Sequence, residues 1–259
     1  MKEVIRGATL EVKQLTKSFG AVIAVDRLSV QIPGGSLCGI LGPNGSGKST
    51  LFDCCTGLER ASSGSVLVDG EDIGSWPMNK IARQAGVVRS FQRNVVLASM
   101  SVEENLILAG QTAAFPNLFT TFLMGSKSHH RMTAIREEAA ALIDKIGLDP
   151  VRNSLAAKIS VGQQRLLQFA SALMARPRVL MLDEPLAGVS PVLIERLLET
   201  IRWAHRELKL TILLIEHNID AVTSICPRII VLNAGVIIAD GSPQDVTSDI
   251  RVKEAYLGL

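Results

Sequence analysis

The segment with the clearest chemistry is a glycine-rich stretch that fits the pattern G-x-x-x-x-G-K-[ST]. Its residues are Gly42, Pro43, Asn44, Gly45, Ser46, Gly47, Lys48, Ser49 and Thr50. Glycine lacks a Cβ, so backbone N–H groups can converge on phosphate oxygens, and the helix that follows adds its positive dipole end. Lys48 is expected to reach the β- and γ-phosphates, and the Ser49 hydroxyl to ligate Mg²⁺. The stretch predicts a nucleotide site; a turn that merely caps a helix is the alternative.

A second group of candidate residues follows an apolar strand over residues 179–182. Asp183 and Glu184 come directly after this strand. A buried strand delivers such a pair to the carboxyl edge of the sheet, where open α/β folds bind ligands. Asp183 suits the shell of a Mg²⁺ ion, and Glu184 suits the orientation or deprotonation of an attacking water. The pair is a weak signal by itself, but it becomes strong beside the phosphate loop.

A third candidate lies at the start of a predicted helix over residues 161–175. Ser160, Gly162 and Gln163 open it, and its first turn carries no acidic side chain. Such a helix end can hold an anion. Ordinary N-capping by Ser160 is the better reading of these residues when they are taken alone.

Composition bounds the class of protein. The chain has 259 residues, of which 47% are hydrophobic and 4% aromatic, and a net charge of +2. This is typical of a globular protein rich in small aliphatic side chains, and the charge gives no argument for nucleic-acid binding. No apolar run reaches the roughly 18 residues of a membrane span. The four cysteines lack zinc or disulfide spacing and are expected to be core residues of a reduced cytosolic protein.

The elements that must position these residues follow an α/β pattern. Residues 1–36 alternate apolar and polar positions and predict an antiparallel β layer. Helical spacing appears over 102–108 and 134–146, and the break at Pro116 and the polar cluster at 126–130 are expected to separate these two helices. The uncharged stretch 110–126 is expected to be a loop or a docking surface. Residues 158–259 return to α/β alternation, ending in a hairpin near residue 235.

In this order the motifs resemble those of the ATP-binding cassette (ABC) family of transport ATPases. The family signature Leu-Ser-Gly-Gly-Gln lies just upstream of the Asp-Glu strand, as Ile159–Gln163 does here, with Val161 in place of the first glycine. The resemblance implies a P-loop NTPase core with a mostly parallel sheet, an N-terminal antiparallel β layer and a helical subdomain. It implies one cassette domain over 1–259, with the core at 1–89 and 158–259 and the helical subdomain at 90–157, which the signature helix continues.

The resemblance also assigns roles to single residues. Phe19 matches the aromatic that stacks on adenine, and Gln92 matches the glutamine that reaches Mg²⁺ and the attacking water. His217 matches the histidine that contacts the γ-phosphate. Ser160, Gly162 and Gln163 would complete the ATP site of a second cassette, identical or different, in a head-to-tail dimer. Ser190 stands where the family usually has an aspartate at the dimer interface.

Finer details resemble the ATP-binding subunits of branched-chain amino acid importers, particularly the one with the longer helical insertion. They include Arg89–Gln92, the insertion near 110–130 and the ending Tyr256-Leu257-Gly258. Urea or amide importers and the lipopolysaccharide-export ATPase share parts of this pattern. The resemblance implies transmembrane permease subunits as partners, indirect contact with a solute-binding protein, no nucleic acid, and a cytoplasmic place on the inner face of the membrane.

Three other classes of protein are less consistent with the sequence. ABC ATPases that act on DNA or ribosomes carry coiled-coil insertions, tandem cassettes or basic arms, and none is visible here. A small-molecule kinase or a GTPase would leave Ser160–Gln163, Gln92 and His217 unexplained. A cassette that binds ATP without hydrolysing it would be expected to have lost Lys48, Asp183, Glu184 or His217.

Overall fold

The computed structural model describes residues 6–90, 96–114 and 125–257. Its strands are β1 (Leu10–Phe19), β2 (Val22–Ile32), β3 (Leu37–Leu41), β4 (Ser63–Val68), β5 (Glu71–Asp72), β6 (Val87–Ser90), β7 (Val179–Asp183), β8 (Thr211–Ile215), β9 (Arg228–Asn233) and β10 (Val236–Gly241). Its α-helices are α1 (Lys48–Thr56), α2 (Met78–Lys80), α3 (Val102–Ala114), α4 (Gly125–Ile146), α5 (Val161–Met174), α6 (Pro191–Leu208), α7 (Ile219–Ile225), α8 (Pro243–Ser248) and α9 (Ile250–Leu257). A π-helical turn at Ile81–Ala85 and 3₁₀ turns at Asp149–Val151 and Ala156–Lys158 complete the regular structure of these ranges.

Two sheets form among the described residues. The larger has the order β10-β9-β3-β8-β7-β6, in which β9, β3, β8 and β7 pair in parallel and β10 pairs antiparallel at the edge. The smaller is antiparallel, in the order β2-β1-β4-β5. The predicted P-loop core with an antiparallel β layer is therefore confirmed.

The central strands of the larger sheet explain where the site forms. Every residue of β3, β7 and β8 is buried. Strands covered on both faces read as continuous apolar runs rather than alternating ones, as these do. Because the three strands are parallel, their carboxyl ends meet at one edge of the sheet. The phosphate loop follows β3, Glu184 follows β7 and His217 lies just beyond β8.

The helical region departs from one sequence expectation. The polar cluster at 126–130 does not separate two helices, because α4 already begins at Gly125 and continues to Ile146. The predicted break at Pro116 lies outside the described residues. Ser, Lys and His lower helix propensity only slightly, and polar side chains suit a helix surface, so a polar run is no helix break. The proposed loop 110–126 is also partly helical, since α3 extends to Ala114.

The chain forms two compact units. One comprises residues 1–89, 178–185 and 201–259, and the other comprises 90–177 and 186–200. The first contains the phosphate loop and the Asp-Glu pair, and the second contains the signature helix α5. Within the described ranges, none of the helices combines the length and the apolar character needed to cross a bilayer.

Candidate functional site

The loop between β3 and α1 depends on glycine at two points of close approach. Gly42 has φ +149°, and a Cβ there would lie 2.2 Å from the carbonyl oxygen of Leu232. Gly47 has φ +100°, and a Cβ there would lie 2.4 Å from the carbonyl oxygen of Ala24. A Cβ on Gly45 would meet no atom of the described residues within 4 Å. The loop is thus fixed on its inner side and open at Gly45, as an incoming phosphate requires.

Lys48, the first residue of α1, folds back into this loop. Its ammonium donates to the carbonyl oxygens of Gly42 at 2.9 Å and Pro43 at 2.8 Å, and lies 3.3 Å from Ser46 Oγ. Burial lowers the pKa of Lys48, and the carboxylates of Glu184 and Asp183 oppose that shift. The structure therefore brings the loop lysine and the Asp-Glu pair into one electrostatic site.

The remaining predicted loop residues line the same opening. Asn44 is exposed, and Pro43, Ser49 and Thr50 are half-buried, with Ser49 and Thr50 in the first turn of α1. This turn contains no acidic side chain. An anion at the helix start therefore meets the positive dipole end without a competing carboxylate from that turn.

Asp183 ends β7 with a fully buried side chain that pairs with a guanidinium. Arg89, at the end of β6, donates to Asp183 Oδ2 through one terminal nitrogen and to Asp53 Oδ1 on α1 through the other. Burial raises the pKa of the Asp183 carboxyl, and the bond to Arg89 counteracts this. Arg89 thus ties the strand that carries Asp183 to the helix that follows the phosphate loop.

Glu184 is held in an unusual backbone conformation beside His217. Its φ is +48°, in the left-handed region that side chains other than glycine seldom adopt, and its N–H donates to the carbonyl oxygen of Ile215 at 2.9 Å. Its Oε1 lies 2.9 Å from Nε2 of His217. Both side chains are partly exposed. A carboxylate aimed by an imidazole at the mouth of a phosphate loop has the arrangement of a positioned general base.

The predicted signature residues form the start of α5. Ser160 Oγ accepts from the Gln163 N–H at 3.2 Å, and the Ser160 N–H donates to Gln163 Oε1 at 2.9 Å, which is a reciprocal capping box. Gly162 is buried, and a Cβ there would lie 2.4 Å from Leu193 Cδ1. Val161, by contrast, is 47% exposed. Ser160 and Gln163 therefore cap the helix in this structure, while their contact with a nucleotide stays a prediction.

Phe19 and Gln92 are the two remaining residues that the sequence predicts to lie at the nucleotide site. Phe19, the last residue of β1, is 48% exposed, and the Lys17 ammonium lies 4.6 Å from the centroid of its ring. One face of the aromatic is thus taken by a cation that Glu59 also binds at 2.8 Å. Gln92, predicted to reach Mg²⁺ and the attacking water, lies outside the described residues.

Sequence reasoning did not assign roles to three residues that contact this site. Arg89 and Asp53 form the ion-pair bridge described above, and the Tyr256 hydroxyl accepts a hydrogen bond from the Gly42 N–H at 2.8 Å. The signal for the ion pair of Arg89 with Asp53 was the presence of an arginine within the short strand β6. For Tyr256 the signals were its place in the ending Tyr256-Leu257-Gly258 and the fact that it is the chain's single tyrosine.

Comparison with known proteins decides the family. Residues 25–187 match the ABC transporter family, a span that contains the phosphate loop, the signature and the Asp-Glu pair. This chain belongs to the ABC transporter family. It is therefore an ATP-hydrolysing cassette.

The similarity to known proteins extends over nearly the whole chain. The chain is 37% identical over 249 residues to the high-affinity branched-chain amino acid transport ATP-binding protein BraF of Pseudomonas aeruginosa, covering 96% of this chain and 97% of BraF. It is 34% identical to LivG of Escherichia coli K12, which has the same description, with the same coverage. A crystal structure of the ADP conformation of an ABC transporter cassette superposes with a TM-score of 0.80 at 30% identity, covering 97% of this chain and 99% of that one.

Proposed function

We propose that this cassette hydrolyses ATP with Glu184 as general base and thereby drives an importer of branched-chain or other hydrophobic amino acids. The Glu184–His217 pair at 2.9 Å is the observation that carries the catalytic part. In this assignment Glu184 orients a water and takes its proton, while His217 fixes the carboxylate and contacts the γ-phosphate. Gln92 is assigned to the same water by the family motif alone.

Lys48 supports the binding half of the proposal. Its ammonium is already desolvated and held by two loop carbonyl oxygens, so a phosphate oxygen at the loop mouth would be a charge-assisted acceptor for it. The carbonyl contacts hold the lysine side chain within the loop. Little side-chain entropy then remains to be lost on binding. The amides from Asn44 to Thr50 would hold the phosphates, and Phe19 would stack on the adenine.

The residues present also fit Mg²⁺. Hard oxygen ligands are what this ion prefers, and the site offers the Ser49 hydroxyl and the buried Asp183 carboxylate. A cation beside Asp183 would offset the cost of burying a carboxylate, which raises the pKa of that group. We assign Ser49, Asp183 and, from the motif, Gln92 to the ion, which would neutralise charge on the β- and γ-phosphates. Arg89 holds Asp183 ionised and oriented for this role.

We further propose a head-to-tail dimer with a second cassette, identical or different. Ser160, Gly162 and Gln163 of one cassette would meet the nucleotide bound by the other. The exposed start of α5 supports this, because its first turn carries no acidic side chain and presents a helix N-terminus. A nucleotide shared by two cassettes can favour the closed state, since its γ-phosphate gains contacts only there.

The transport assignment rests on similarity to BraF and LivG along 96% of the chain. We propose that the cassette works at the cytoplasmic face of the membrane, bound to permease subunits and indirectly served by a solute-binding protein. Solute chemistry is read by those other subunits rather than by this chain.

The test is uptake by the reconstituted assembly. The cassette is purified with the membrane subunits that accompany it, placed in proteoliposomes with the solute-binding protein, and supplied with MgATP inside. We expect ATP-dependent accumulation of labelled leucine, isoleucine or valine, and none with the Glu184→Gln cassette. Uptake of urea instead, or export of a lipopolysaccharide, would replace the amino acid assignment.

A further inference from the structure

Residues from the C-terminal part of the chain form hydrogen bonds with the phosphate loop. The Gly42 N–H, the first amide of the loop, donates to the Tyr256 hydroxyl on α9 at 2.8 Å. The carbonyl of Ser46 accepts from the Gly235 N–H, in the turn between β9 and β10, at 3.1 Å. Close packing of Leu232 against Gly42 forbids a side chain there. The loop is thus contacted at Gly42 and at Ser46 by the last 28 residues of the described chain, 230–257.

Gly42 links the contact with Tyr256 to the loop lysine, Lys48. Its N–H is bound to Tyr256, while its carbonyl oxygen accepts from the Lys48 ammonium at 2.9 Å. The peptide group before Gly42 is therefore held by Tyr256 on α9. The peptide group after Gly42 helps to position the Lys48 ammonium. Because Gly42 lacks a side chain and has φ +149°, its own conformational preference does little to hold this arrangement.

We propose that Tyr256 is a positioning residue that preorganises the phosphate loop, so that docking of the C-terminal helix α9 and binding of ATP are coupled. The coupling rests on the proposed nucleotide site. Without the hydroxyl, the Gly42 N–H loses its partner and the loop entry samples other conformations. ATP must then order the loop as it binds, and that cost appears as weaker affinity. Conversely, bound ATP stabilises the docked form of α9.

The packing of α9 is consistent with a helix that can be undocked. It is a short helix, Ile250–Leu257, whose side chain at Val252 is buried while Ile250 is 64% exposed. Burial of the Tyr256 ring raises the pKa of its hydroxyl, so the group stays protonated and uncharged at physiological pH. Tyr256 therefore acts as a neutral acceptor for Gly42.

The first test replaces Tyr256 by phenylalanine, which keeps the ring and removes only the hydroxyl. We expect the Kd and KM for MgATP to rise by about 3- to 10-fold, the effect of one lost hydrogen bond, while kcat at saturating ATP stays within about 2-fold. Lys253→Ala, exposed on the same helix, is the control and should leave both constants unchanged. An unchanged Kd in a folded Tyr256→Phe protein, or an equal loss in kcat, contradicts the proposal.

The second test needs no substitution, because Tyr256 is the only tyrosine of the chain. Incorporation of 3-fluorotyrosine gives a single protein ¹⁹F resonance at this position. We expect MgATP to shift it, with a saturation curve that gives the same Kd as nucleotide binding. A resonance that does not move at saturating MgATP would overturn the coupling. Failure of the wild-type cassette to bind MgATP at all would instead overturn the proposed function.

Discussion

At the scale of single residues, the site is built by pairing buried charges with one another. Asp183 is fully buried, and the Arg89 guanidinium compensates its charge while also binding Asp53. A buried ion pair of this kind adds little net stability, but removing one partner leaves the other charge uncompensated. Arg89 therefore matters most for keeping Asp183 ionised and correctly oriented.

We predict that Arg89→Met lowers the free energy of unfolding by about 3 kcal/mol, because it leaves two carboxylates without their guanidinium. Chemical denaturation without nucleotide measures this change. Arg60→Met, at an exposed arginine, is the matched control and should cost less than about 0.5 kcal/mol. Adding Asp53→Asn to Arg89→Met should recover part of the loss. Equal stability of the Arg89→Met and wild-type proteins would show that the bridge is unimportant.

At the scale of elements, the signature helix begins with a complete capping box. Ser160 and Gln163 satisfy each other's backbone N–H groups, so the start of α5 is stabilised by its own side chains. Residues that are predicted to bind ATP across a dimer thus also stabilise their own helix. The same hydroxyl serves both purposes, and a mutation there affects stability before any partner is present.

We predict that Ser160→Ala lowers the free energy of unfolding by about 1 kcal/mol, the usual cost of a lost N-cap. Ser171→Ala, which removes a hydroxyl from the last turn of the same helix, is the control. It should be close to neutral, because alanine is the better helix former and the Ser171 hydroxyl binds only a carbonyl of its own helix. If both variants have the same stability, the cap contributes nothing.

Elements were largely predictable from the sequence, because the apolar runs of β3, β7 and β8 and the glycine pattern of the loop are local signals. The helical region was less predictable from the sequence, because a polar run such as 126–130 occurs both on helix surfaces and in loops. The contacts of Arg89 and Tyr256 were not predictable, because each joins segments that are far apart in sequence. The boundaries of the helical subdomain and the roles of the site residues stay predictions.

At the scale of the whole molecule, the cassette is proposed to work only as half of a nucleotide site. The phosphate loop and the Glu184–His217 pair belong to one compact unit, and the start of α5 belongs to the other. In the dimer we propose, ATP holds two copies together until hydrolysis removes the γ-phosphate. Binding and turnover therefore have separate consequences: binding closes the dimer and turnover reopens it.

The role of Glu184 as general base is tested most directly by comparing purified Glu184→Gln with the wild type. Both ATP turnover and ATP-driven dimerisation are measured. We predict that Glu184→Gln binds MgATP, sediments as a dimer with it, and releases phosphate about 10²- to 10⁴-fold more slowly, since only the general base is lost. Lys48→Ala, which removes the ammonium proposed to bind phosphate, should fail to dimerise. Phosphate release by Glu184→Gln at the wild-type rate would contradict the assignment of Glu184 as the general base.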